Sequence, residues 1–116
     1  MKINISKIGN GGNGVRDKIK FLNSKCVFKD LAILTMEECG ELIRALSKYC
    51  RRDYNREEAY YGIEEEMADV YACLERVKEA IGISDAEIQK IMQSKIDFAF
   101  AKEKHYENYI TNKKMI

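Results

Sequence analysis

Proline is absent from this chain of 116 residues, and so is tryptophan. Without proline, no position is barred from continuing a helix by a missing backbone N–H. Histidine occurs once, at His105. That excludes a ferritin-like di-iron centre, which needs paired Glu-x-x-His motifs; Lys102 stands three positions before His105. The four cysteines, Cys26, Cys39, Cys50 and Cys73, form no C-x-x-C pair. Structural zinc is therefore not expected, and reduced, buried thiols are. Charge of one sign is lacking too: 20 basic residues face 19 acidic ones. Such a balance provides no general surface for nucleic acid or an anionic membrane. No apolar run approaches the ~18 residues of a membrane span. The opening "MKINISKIGN" lacks the apolar core of a signal peptide, so a cytoplasmic location is expected.

What is present is helical pattern. The polar, glycine-rich stretch 1–14, "MKINISKIGNGGNG", is expected to be a flexible arm. It matches G-x-G-x-x-G literally, yet helix after helix follows it, and a dinucleotide site needs a βαβ unit. Residues 15–26 suit a short first helix. Apolar residues at 3.6-residue spacing predict a second helix from about Val27 to Arg52. After "RDYN", Asn55 with Glu58 resembles a capping box and starts a third helix that runs to Ile81. Gly82 suits the position just past its end, and "SDAE" at Ser84 starts a fourth. The last residues, "ITNKKMI", are expected to fray. The chain thus reads as all-α, an antiparallel helical bundle with two to three long helices in a domain spanning 15–116. Helices two and three, each nearly ~40 Å long, cannot bury their broad apolar faces on one another alone. A homodimer or homotetramer is expected to complete the core.

One feature breaks the soluble-helix pattern. "TMEECGEL" sets Glu37, Glu38 and Glu41 among apolar residues of the second helix, and "EEEMADV" does the same in the third. Glu38 and Glu41 are three apart and share a face, as do Glu66 and Asp69. Folding the hairpin about its turn brings the two pairs to nearly the same height, roughly 20 Å from it. Four carboxylates in one place repel one another unless a cation joins them. Oxygen ligands suit Mg²⁺, with Mn²⁺ as a substitute. The competing reading is a solvated acidic face, which suits Glu64 and Glu65.

"EECGEL" followed by "EEMADV" resembles the E-E-x-x-E, E-x-x-D pattern of the MazG-like all-α nucleoside triphosphate pyrophosphatases. The likeness covers about residues 27–105. It implies Mg²⁺-dependent cleavage of a nucleoside triphosphate between the α and β phosphates, giving monophosphate and pyrophosphate. On that reading Glu38, Glu41, Glu66 and Asp69 hold the metal. Glu37, or an unliganded oxygen of Glu41, is the general base. Lys95 and Lys102 on the fourth helix are candidates for the phosphates, with ordinary surface lysine as the competing reading. Tyr60, Tyr61 or Tyr71 could stack on a base, although packing is the commoner use of tyrosine. The rival from another class is a non-catalytic helical protein of the same fold that binds nucleotide or a regulatory partner.

Overall fold

The computed structural model describes residues 14–51 and 55–114. Residues 1–13, 52–54 and 115–116 lie outside the described residues, and with them all but the last position of the predicted flexible arm, 1–14. Four helices follow in order: α1 Val15–Ser24, α2 Phe28–Cys50, α3 Arg56–Ile81 and α4 Asp85–Lys114. Among the described residues there is no strand. No described helix is long and apolar enough to cross a membrane. The chain divides into two compact units, one ending at Gly82 and one beginning at Ile83.

The helix boundaries follow from local chemistry. The Asn55 side chain accepts from the backbone N–H groups of Glu57 and Glu58 at 3.0 and 3.2 Å. That satisfies two of the four donors a helix start leaves open. Glu57 and Glu58 also stand where the helix dipole favours negative charge. Gly82 ends α3 at φ 76°, a left-handed conformation that side chains disfavour. Ser84 Oγ then accepts from the Glu87 N–H at 3.2 Å and caps α4. The predicted fray does not begin at Ile110: α4 remains helical through Lys114. Lys113 and Lys114 in its last turn complement the dipole there, and Lys113 lies over the Tyr109 ring at 5.5 Å.

Within the first unit, α2 and α3 pack against each other and α1 packs on α3. The buried side chains are Leu31 and Ala45 on α2, and Ala59, Val70 and Cys73 on α3. Leu31 and Ala45 bracket Glu38 at seven-residue spacing, and Ala59 and Cys73 bracket Glu66 in the same way. Seven residues are close to two helical turns, so each trio forms one straight seam. Ala45 and Ala59 line one cavity, and Glu38 meets Glu66. Residue numbers rise on α2 as they fall on α3, so the two helices run antiparallel. Leu31, at 2% exposure, anchors the far end of this seam.

Polar contacts tie α1 to α3. The Asn23 amide donates to the Arg76 carbonyl at 2.9 Å and to the Glu79 carboxylate, and Asn23 Oδ1 accepts from Arg76 Nε at 3.1 Å. Arg76 also donates to Cys26 Sγ at 3.4 Å. The predicted apolar stripe is only partly used within the unit. Ile43, Leu46 and Leu74 remain exposed, because the α2–α3 seam is narrower than the apolar face each helix carries.

Candidate metal centre

The seam explains why acids stand among apolar residues. Glu38 and Glu66 occupy the same seven-residue register as the buried Leu31, Ala45, Ala59 and Cys73. They are acids in core positions. Asp69, one turn beyond Glu66, turns its carboxylate toward the same point. One oxygen from each of Glu38, Glu66 and Asp69 lies within 4.8 Å of the other two. Glu38 and Glu66 are half-buried and Asp69 is exposed, so the cluster opens on one side to solvent.

The electrostatics are those of an uncompensated acid cluster. Burial pushes the Glu38 carboxyl above the ordinary glutamate range, and the charges of Asp69, Glu41 and Glu37 push it further. A hydrogen bond to Asp69 holds its proton in place. Glu66 is raised by burial first, then by Asp69, Glu38, Glu41 and Glu65. The leading causes at both glutamates are burial and neighbouring acids, all of which raise them. Glu66 Oε2 is buried and has no hydrogen-bond partner among the described residues. Buried polar atoms in folded proteins are rarely left so. A cation ligated by this oxygen would satisfy it, and carboxylate oxygens are among the donors that hard divalent ions take.

Of the four expected ligands, the structure brings three together. Glu41 lies one turn from Glu38 toward the hairpin turn, and its Oε1 accepts from Arg44 at 2.8 Å. The hairpin register differs from the height argument by about one turn: Glu38, rather than Glu41, stands across from Glu66. The buried seven-residue seam sets this register, whereas the height argument used the middle of the turn. Glu37 is exposed, and its charge reaches Glu38. Lys95 and Lys102 lie exposed on α4 in the second unit. Tyr60 and Tyr61 are exposed and meet edge to face at 5.8 Å.

Three residues near the cluster were not singled out from sequence. Cys73 follows Glu66 by seven and is buried on the seam. Burial pushes its thiol up, and the Glu38 and Asp69 charges add to this, while Thr35 and Arg76 oppose it. Arg44 and Lys48 continue the Glu41 face by one and two turns and line a cavity with Glu66. Spacing from Glu41 was the signal that could have found both. No protein-family model, curated protein or solved structure matches this chain.

Proposed function

We propose that this chain is a Mg²⁺-dependent nucleoside triphosphate pyrophosphohydrolase of the MazG-like kind. The observation that carries the reading is the pair Glu38 and Glu66, set in core positions, converging with Asp69 and leaving Glu66 Oε2 without a partner among the described residues. Repulsion among two half-buried glutamates and the exposed Asp69 has no structural benefit. It becomes favourable only when a cation is held.

Glu38, Glu66 and Asp69 would hold the Mg²⁺, and Glu41, now paired with Arg44, would be its fourth ligand. The ion, when bound, neutralises triphosphate oxygens and makes water easier to deprotonate. Glu37, or the free oxygen of Glu41, takes the proton from a water that attacks the α phosphorus. The α–β bridging bond breaks, and pyrophosphate leaves from a nucleoside monophosphate. Lys95 and Lys102, in the second unit, enter only as the phosphate cations that the family resemblance implies. A cytoplasmic homodimer or homotetramer belongs to it as well, covering the exposed Ile43, Leu46 and Leu74.

Bond-blocked substrates test the chemistry. A triphosphate with a methylene α–β bridge should inhibit and survive, whereas one with a β–γ imido bridge should still be cleaved to monophosphate. The reverse pattern would exclude α–β cleavage. The non-catalytic rival is favoured if both analogues stabilise the protein and neither is cleaved.

A further inference from the structure

Beside the acid cluster, α2 and α3 enclose a cavity of about 120 Å³. Its floor is made of small residues, Ala45, Ala59 and Gly62. Glu66 forms one wall, so the cavity and the carboxylate cluster share a residue. Arg44 and Lys48 reach it from α2, one turn apart, and the acids Glu41 and Glu58 stand with them. Pockets that hold a drug-sized ligand run to about 300–1,000 Å³. This cavity is too small for a nucleoside but suits phosphate groups.

Gly62 gives the second observation. It lies inside α3, where glycine is less favourable than alanine by about a factor of five in helix equilibrium. Packing does not require it: a Cβ built there meets nothing within 4 Å. The space that a side chain would take is part of the cavity. A residue that weakens its own helix and keeps an open space next to the acid cluster has a functional reading.

We propose that this cavity seats the β and γ phosphates of the substrate, which leave as pyrophosphate. Arg44 and Lys48 hold them, and Gly62 keeps the cavity open. The inference rests on the metal reading above. The charges support an Mg²⁺-bound phosphate over a bare one. With Glu66 and Glu41 committed to the metal, Arg44 and Lys48 outnumber the remaining Glu58. Arg44, paired with Glu41 at 2.8 Å without metal, is released when that carboxylate turns to the ion. Its planar fork suits phosphate oxygens.

The test is calorimetric binding of inorganic pyrophosphate to the full chain, in Mg²⁺ and without it, beside a titration with Mg²⁺ alone. Wild type should bind pyrophosphate in Mg²⁺. Arg44→Gln and Lys48→Gln should each weaken that binding about tenfold, the usual effect of one charge-assisted contact; Lys48→Gln should leave Mg²⁺ affinity within about twofold, and Arg44→Gln, which frees Glu41, should not lower it. Gly62→Leu should block pyrophosphate. Gly62→Ala guards against misfolding, because it should raise the melting temperature while keeping Mg²⁺ binding and weakening pyrophosphate. Wild-type pyrophosphate affinity in Arg44→Gln, Lys48→Gln and Gly62→Leu would overturn the cavity assignment. Mg²⁺ binding with no pyrophosphate uptake by wild type would overturn the cavity and leave the metal centre standing. No response to Mg²⁺ itself would overturn both.

Discussion

Magnesium should stabilise this protein, and the gain should grow with pH. Without metal, Glu38 and Glu66 hold their protons more tightly when folded than when unfolded, because burial and neighbouring charges raise both. Between the ordinary glutamate range and those raised values, the folded state binds more protons than the unfolded one. Stability then falls as pH rises through that window. Metal binding has the opposite slope, since ligating carboxylates must be deprotonated. The two curves should separate as pH rises from acid to neutral. At Mg²⁺ one hundred times its dissociation constant, mass action supplies about 2.7 kcal/mol. For a unit the size of α1–α3, about 4–8 °C accompanies each kcal/mol. The expected rise in melting temperature at neutral pH is therefore roughly 10–20 °C. Thermal unfolding followed by circular dichroism, with and without Mg²⁺ across pH, reads it. Asp69→Asn should remove most of the Mg²⁺ response and soften the apo pH slope, because the Asp69 charge raises both glutamates more than any other neighbouring charge does. A melting temperature indifferent to Mg²⁺ at every pH, in wild type and variant alike, would refute the reasoning.

Other outcomes follow from packing and capping. Leu31→Ala empties the most buried position of the seam and should cost about 2–5 kcal/mol by urea denaturation; a loss below ~1 kcal/mol would mean the seam is not the core. Asn55→Ala removes two hydrogen bonds at the α3 start and should cost about 1 kcal/mol in the same assay. Gly82→Ala forces a side chain into φ 76° and should cost about 1–2 kcal/mol. In thiol alkylation of the folded protein, the exposed Cys39 and Cys50 should react first. Cys73, buried and raised, should react only under denaturant, as mass spectrometry of timed samples would show.

The α3 boundaries were legible because both ends carry specific chemistry. Asn55 offers an acceptor where backbone donors are open, and Gly82 alone takes a left-handed backbone cheaply. Ser84 worked for the same reason. The end of α4 was less legible: "ITNKK" has weak apolar periodicity, yet nothing in it breaks a helix, and α4 continues to Lys114. The acid cluster was legible as two i, i+3 pairs on antiparallel helices. Its membership was not, because a turn's midpoint does not fix register to one helical turn; the buried side chains flanking Glu38 and Glu66 do. Spacing puts Arg44 within reach of Glu41 on one face of α2, but it does not decide between Arg44 and the cluster, which compete for the same carboxylate. The cavity at Gly62 was invisible because it depends on which small residues two helices place opposite each other.

The most direct measurement is product analysis after incubating the protein with Mg²⁺ and a panel of canonical and modified ribo- and deoxyribonucleoside triphosphates. The account expects at least one to yield monophosphate and pyrophosphate in equal amounts, with the yield lost in Glu38→Gln and in Asp69→Asn. Diphosphate and orthophosphate, or turnover that survives both substitutions, would contradict it.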